Sequence, residues 1–235
     1  MARVNVTGSM RVFEAAARAG AAIVHSSSVG AYRAGPKDRL VDESWPIGGH
    51  RNHPYSLQKA EVEAQLDRVA GDHPGLRTVR LRPGLVFQSG AGREIRRYFL
   101  PRHTPGALLR PGLVQRAPVR FQAVHADDVA DAFAEAALRQ VSGAFNVATT
   151  DPVGGRNLAP LEHVLRPVVS AAWRLHLQPV DPGWVRLIFR CPLIDPARAR
   201  TELDWSPART GAEALAEGLA AMADPPDPIS PALAG

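Results

Sequence analysis

Tyr55 and Lys59 stand four residues apart in "HPYSLQKAEVE", residues 53–63, and lysine is otherwise almost absent from this arginine-rich chain, with Lys37 the one other. On a helix, positions i and i+4 share a face, about 6 Å apart along the axis. A phenol ordinarily titrates near ~10 and is a poor base at neutral pH. A nearby ammonium favours the phenolate. Lowering the phenol by about 3 pH units takes roughly 4 kcal/mol of differential interaction. A lysine in a partly dry site, helped by a second positive group, could supply it. Such a tyrosine would exchange a proton with an alcohol or carbonyl. A hydroxyl beside it would hold the substrate oxygen, and the run Ser26, Ser27, Ser28 offers three. Each residue also has a plainer role: Tyr55 as an aromatic anchor, Lys59 as a solvated side chain, Ser28 as a cap at a strand end. Their order in the chain is what favours chemistry.

That order needs elements to hold it. "GSMRVFEAAARAG" carries apolar residues at helical spacing and ends on Gly20, a good helix stop. "AAIVHSSS" is a short apolar run ending in hydroxyls, which predicts a buried strand of an α/β sheet. Residues 29–53 are rich in Gly, Pro, Asp and His and read as a long loop. Pro54 can open a helix, which then runs to Gly71. "LRTVRLRP" and "VRFQAV" read as strands, "ADDVADAFAEAALRQ" as a helix with an acidic first turn, and "GAFNVA" as a further strand. Helix and strand alternate, so a parallel sheet with crossover helices is expected. Ligands of such sheets bind at the carboxyl ends of the strands, where the "SSS" run falls. Prolines 160, 167, 179, 182, 192 and 196 interrupt the last third, with two helices, "PARARTELDW" and "GAEALAEGLAAM", near its end.

Hydrophobic content of 45% and charged content of 22% are those of a globular chain. No apolar run approaches the ~18 residues of a membrane span, and "MARVNVTGSM" lacks the apolar core of a signal peptide. The single cysteine, Cys191, fits a reducing compartment and reads as a packed small hydrophobe. A cytoplasmic location with no membrane partner is expected. Net charge is +5, and residues 92–120 hold seven arginines against Glu94. No nucleic-acid recognition motif accompanies them, so no nucleic-acid partner is expected. A solvated face, or contact with an anionic substrate, accounts for them.

The run from Asn5 to Pro83 resembles the extended short-chain dehydrogenase/reductases, the NAD-dependent epimerase/dehydratase family. An Asn opens the helix before the active strand in "NVTGSMRVFEAAARAG". Ser28 stands four residues before Tyr32 in "SSSVGAY", and Tyr55 and Lys59 form the Tyr-x-x-x-Lys helix. "LRPGLVF" places Pro83 and Val86 where family members line the nicotinamide. "VHADDVADAF" and "ARARTELDWSP" resemble two further family phrases. The resemblance covers most of residues 3–222. It implies Tyr55 as general acid/base, Lys59 as the group that lowers its pKa and holds the nicotinamide ribose, and Ser28 as the hydroxyl on the reacting oxygen, with Ser27 as fallback. Ser26, Ser27, Tyr55, Lys59, Pro83 and Val86 are the implied contacts of NAD or NADP. His125 and the Asp-Asp helix start are implied to be structural. UDP-sugar epimerases of the family usually carry an Arg four residues before that His. Here Phe121 holds the position, with Arg120 one further away.

The implied fold is α/β: the C-terminal part of a Rossmann-like, doubly wound parallel sheet plus a small, mostly helical substrate region. Residues 1–150 would be a partial NAD(P)-binding domain with a substrate-side insertion at 88–118. Residues 151–223 would be the C-terminal substrate region, and 224–235 a disordered tail. The family's Gly-rich turn after its first strand has no match, so three βα units of ~30 residues each, the adenine-binding half, are expected to be missing through truncation or a misassigned start. The expected function is NAD(P)-dependent oxidoreductase or epimerase chemistry on an alcohol or carbonyl of a small molecule, with the isolated chain inactive, poorly stable and weak in binding the cofactor. An apolar edge and face beside the strand of residues 21–27 are expected with it. The alternative is a non-catalytic binding or regulatory remnant. A homodimer is left open, and no metal is expected.

Overall fold

The computed structural model of the chain describes residues 2–101 and 104–224. A widened helical stretch, Arg3–Gly8, leads into α1 (Ser9–Arg18). The helix stops as its sequence predicts. Gly20 takes φ +66°, its N–H donates to Ala17 O, and that of Ala21 donates to Ala16 O, the paired closure that a left-handed glycine allows. β1 (Ile23–Ser26) follows, then β2 (Leu40–Val41) within the long loop, and α2 (Pro54–Asp72). Gly71, the expected stop, lies inside α2. After it come β3 (Thr78–Pro83), β4 (Leu85–Phe87), α3 (Gly92–Phe99), the short α4 (Pro111–Val114), β5 (Ala123–His125), α5 (Ala126–Leu138) and β6 (Gly143–Val147). The last third holds α6 (Leu161–Arg174), α7 (Gly183–Arg190), β7 (Leu193–Ile194), α8 (Ala197–Glu202) and α9 (Gly211–Ala223). Pro167 lies inside α6 and does not interrupt it, contrary to the sequence reading.

The strands pair in parallel, as expected. β3 lies between β1 and β6, with Ser26 opposite Leu81 and Pro83 opposite Val147. β2 pairs with β7, and β4 with β5. The central strand is buried along its whole length yet reads TVRLRP. Its alternation divides it. Val79 and Leu81 join the core formed with Val129, Ala132, Phe145, Leu203 and Trp205. Arg80 and Arg82 turn to the other side, where α2 packs.

Of the apolar face expected beside β1, the part over the strand is closed and the part on the helix before it is open, with Val4 71% and Val12 64% exposed. Ile23 is covered by Phe13, Val62 and Leu66 of α1 and α2, and Val24 packs against the α5 side. An edge stays open too: among the described residues β1 pairs with β3 alone, and Ala21, Ala22 and Ser26 are exposed along it. Two helices suffice to roof one strand, whereas its outer row of peptide groups needs another strand. The tail at 225–235 lies outside the described residues.

The C-terminal third is tied into the sheets. Gln122, beside β5, donates through Nε2 to Ile194 O at 2.8 Å and accepts from Ile194 N at 2.6 Å. α9 lies on β4, β5 and α3, where glycine is required: a Cβ on Gly218 would stand 2.6 Å from the Phe87 ring, and one on Gly92 would stand 2.5 Å from the Ala221 backbone. The helix start "HADD" has structural work. His125 caps α5 through Asp127 N. Buried Asp128 accepts from Ala208 N at 2.9 Å and Arg209 N at 3.3 Å, and its carbonyl accepts from the Trp205 indole at 2.7 Å. Hydrogen bonds to a charged group contribute about 1.5–3 kcal/mol each. Asp128→Ala is therefore expected to cost about 3 kcal/mol in urea unfolding, and Asp128→Asn less.

Candidate active site

The site begins with the hydroxyl run at the end of β1, and the three serines point to three different tasks. Ser26 is exposed, and its carbonyl accepts from Lys59 Nζ at 2.6 Å. Ser27 is buried and donates to Glu63. Its hydroxyl proton is thus engaged with a buried carboxylate. Ser28 caps the following turn, accepting from Gly30 N at 3.0 Å, and its Oγ and the edge of the Tyr55 ring flank Gly30 together, 3.3 and 3.4 Å from where a Cβ on that residue would stand. Of the three, Ser28 is the one that meets Tyr55.

Tyr55 enters on the first turn of α2. Pro54 presets that turn, and His53 caps it by accepting from Ser56 N. Ser56 then fastens the helix start to the serine turn: its hydroxyl donates to Gly30 O at 2.5 Å and accepts from His50 N at 2.7 Å. One turn on, Lys59 Nζ lies 5.9 Å from the Tyr55 ring centroid. The structure therefore brings Ser28, Tyr55 and Lys59 together.

The electrostatics differ from the sequence expectation. Burial raises the Tyr55 phenol above the ordinary tyrosine value, with the Ser28 hydroxyl opposing the rise. Burial also lowers the Lys59 ammonium, partly offset by Glu63. In the chain by itself Tyr55 is a neutral phenol. Burial governs the phenol, and the Lys59 ammonium donates to Ser26 O at 2.6 Å. A neutral phenol is the form that donates a proton to an oxygen developing negative charge. Of the remaining cofactor candidates, Pro83 is buried in β3, while Val86 is 41% exposed and offers an apolar surface beyond the strand ends.

Sequence reasoning missed what holds these residues. Glu63 receives Arg82 in a two-pronged pair, Nε at 2.9 Å and Nη2 at 2.6 Å, besides the Ser27 hydroxyl. Arg82 Nη1 also donates to the Tyr32 hydroxyl at 2.8 Å, which donates to Asn146 Oδ1 at 2.7 Å. This buried network joins β1, α2, β3 and β6. Its signal was visible: two arginines in a strand otherwise apolar, and acids at i+4 and i+8 from Lys59. Trp184 was also missed. It lies on the Tyr55 ring, and no local pattern pointed to it.

Of the basic residues at 92–120, Arg93, Arg96 and Arg97 line a cavity of about 960 Å³ with Trp173, Arg174 and His176. Arg96 is structural, donating to Met222 O, Ala223 O and Thr104 O. Cys191 is buried, as expected of a packed hydrophobe, and burial pushes its thiol up to about 12. Lys37 is buried with its ammonium on Arg120 O at 2.6 Å. Among the described residues no cluster of His, Cys, Asp or Glu could hold a metal ion, and no helix is long and apolar enough to cross a membrane.

Two buried histidines give the chain a pH dependence. Burial, with neighbouring positive charge, lowers His25 and His50 to about 4. Both rings are neutral when folded and take up protons on unfolding anywhere below their ordinary value of 6.5. Their contribution to stability is whole above that value and is lost as pH falls from 6.5 to about 4. Unfolding free energy measured in urea is expected to drop over that window, and His50→Phe to flatten the slope.

Comparison with known proteins agrees with this geometry. The profile of the NAD dependent epimerase/dehydratase family matches residues 1–148. Comparison with curated protein sequences finds no match. Among solved structures, the fold is shared with the UDP-glucose 4-epimerase of Thermus thermophilus in complex with NAD, at 23% identity and a TM-score of 0.62 over 96% of this chain and 71% of that one. It is shared with the UDP-N-acetylglucosamine 4-epimerase of Methanobrevibacter ruminantium M1 in complex with UDP-N-acetylmuramic acid, at 20% identity and a TM-score of 0.62 over 93% and 68%. The dTDP-glucose 4,6-dehydratase of Bacillus anthracis str. Ames in complex with NAD is similar at 16% identity and a TM-score of 0.60 over 92% and 66%. With the family profile spanning well over half of its length, and its parallel sheet and Tyr-x-x-x-Lys helix arranged as described, the chain belongs to the NAD-dependent epimerase/dehydratase family.

Proposed function

We propose that Ser28, Tyr55 and Lys59 handle the proton in an NAD(P)-dependent oxidoreductase or epimerase reaction on an alcohol or carbonyl of a small molecule. The carrying observation is the Tyr55 ring and the Ser28 hydroxyl flanking Gly30 with Lys59 one turn away, all beside the end of a parallel strand. Ser28 is placed to hold the reacting oxygen, and Tyr55 to give it a proton or take one. Lys59 sets the local charge, and its ammonium has donors beyond the one on Ser26 O for a ribose hydroxyl. NAD(P), when bound, supplies the hydride carrier. The residues suited to it are Lys59, the exposed Ser26 and the exposed apolar Val86, all at the nicotinamide end. The arginine-lined cavity suits a substrate with an anionic portion, such as the nucleotide sugar in the Methanobrevibacter structure.

These contacts reach only part of a dinucleotide, so we infer that the isolated chain holds NAD(P) weakly and turns over poorly, if at all. The raised phenol and the engaged Lys59 favour, as second reading, a site that binds without catalysing. Calorimetric titration with NAD⁺ and NADP⁺ is expected to give binding weaker than micromolar, and micromolar binding to the folded monomer would overturn that inference. Turnover is followed with UDP-glucose as the first probe, by chromatographic separation of the sugar nucleotides for epimerisation and by nicotinamide absorbance for net oxidation. In a fusion that completes the chain with a family member's Gly-rich βα units, Tyr55→Phe is expected to slow it by the roughly 10²–10⁴ of a positioned acid/base, with urea unfolding unchanged. A Tyr55→Phe variant as fast as the parent would sink the assignment.

A further inference from the structure

Tyr55 is the second residue of α2, in the turn whose amides lack intrahelical partners. The helix alone gives its ring little restraint. The ring nevertheless has one place. The Trp184 indole stacks on it, with centroids 5.6 Å apart and planes 25° apart, within the range of offset stacking. The indole is itself held edge-on by His53 at 4.7 Å and by Phe99 at 4.9 Å. Trp184 sits at the start of α7, where Asp181 receives Gly183 N in its side chain at 2.7 Å and Trp184 N in its carbonyl at 3.0 Å. A Cβ on Gly183 would stand 2.8 Å from the His53 ring, so glycine lets α7 approach the start of α2 this closely.

We propose that Trp184 is a positioning residue, whose indole fixes the Tyr55 ring beside Gly30, on the side of Ser28, and keeps the phenol from water. The proposal rests on the reading of Tyr55 as the acid/base. Trp184 comes from the last third of the chain, outside the strands that carry Ser28, so the docking of α7 and the orientation of Tyr55 become one event. The groups facing the phenol are Ser28 at the end of β1, Lys59 and His53 of α2 and its cap, and Cys191 after α7. Burial dominates over all of these in setting the phenol above its ordinary value, and the indole lies stacked on the ring's face.

The test needs no turnover, so its failure and the failure of the functional reading can be told apart. The full chain is titrated with alkali at the phenolate absorption band. Subtracting the matching Tyr55→Phe protein isolates Tyr55 from Tyr32 and Tyr98. The parent is expected to titrate above an ordinary tyrosine, Trp184→Ala to fall towards the ordinary value of about 10, and Trp184→Phe to stay with the parent. Circular dichroism checks that each variant is folded. A folded Trp184→Ala protein that titrates with the parent, or a Trp184→Phe protein that falls as far as Trp184→Ala, overturns the proposal. Should Trp184→Ala not fold, the parent itself decides. Its Trp184 fluorescence, taken as the difference from Trp184→Phe, is expected to quench along the Tyr55 titration, and a signal indifferent to it overturns the proposal equally.

Discussion

The register between α2 and β3 is the constraint on which the site depends, and two arginine–carboxylate pairs set it. Glu63 and Asp67 are one helical turn apart, about 6 Å. Arg82 and Arg80 are two residues apart on the strand, nearly 7 Å by the usual rise of about 3.3 Å per residue. The two spacings match when helix and strand run in opposite directions, and the pairs form in that order, Glu63 with Arg82 and Asp67 with Arg80. Tyr55 and Lys59 continue the same helix face by steps of four. Pairing Glu63 with Arg82 therefore delivers both of them to the carboxyl end of the sheet. A slip of one residue along α2 would turn the whole row by about 100° and separate Tyr55 from Ser28.

The two pairs are unequal. Asp67 is largely exposed, so solvent screens its share. Glu63 and Arg82 are both buried, and neither has water to fall back on. A buried pair of this kind yields little net stability against apolar replacements, yet removing one partner strands a charge. Its merit here is geometric. The carboxylate that receives Arg82 also receives Ser27, which anchors the serine turn, while the Ser28 hydroxyl and the Tyr55 ring meet beside Gly30. Burial lowers the carboxyl's tendency to ionise, but Arg82 and Ser27 more than offset it, and Glu63 is held below the usual glutamate value. The pair stays ionised wherever the chain is folded near neutral pH.

The same burial that makes the network firm makes the site quiet. Tyr55 is covered by Trp184 and rests as a neutral phenol, and Lys59 is held on a backbone carbonyl. The roof comes from α7, the floor from β1 and α2. The C-terminal third is thus no appendage: Gln122 binds it to the strand ends through Ile194, Asp128 receives the backbone at Ala208 and Arg209, and Trp184 closes over the acid/base candidate.

Local patterns in the sequence determined much of this. The alternation of helix and strand, the glycine stop of α1, the parallel sheet and the i,i+4 placement of Tyr55 and Lys59 depend on periodicity and on single residues, and all were legible before the fold. Tertiary structure decided the rest. Which of three adjacent serines faces Tyr55 depends on Glu63, thirty-six residues from Ser27, claiming one of them. Whether Lys59 lowers the phenol depends on the balance of burial against charge, which no spacing encodes. Of the apolar face expected beside β1, α1 and α2 cover Ile23, while Val4, Val12 and the strand edge stay open. The indole on Tyr55 comes from a segment whose own sequence reads as a proline-broken connector. In each case the deciding contact joins residues far apart in the chain, and the direction of a side chain at such a contact is set by packing.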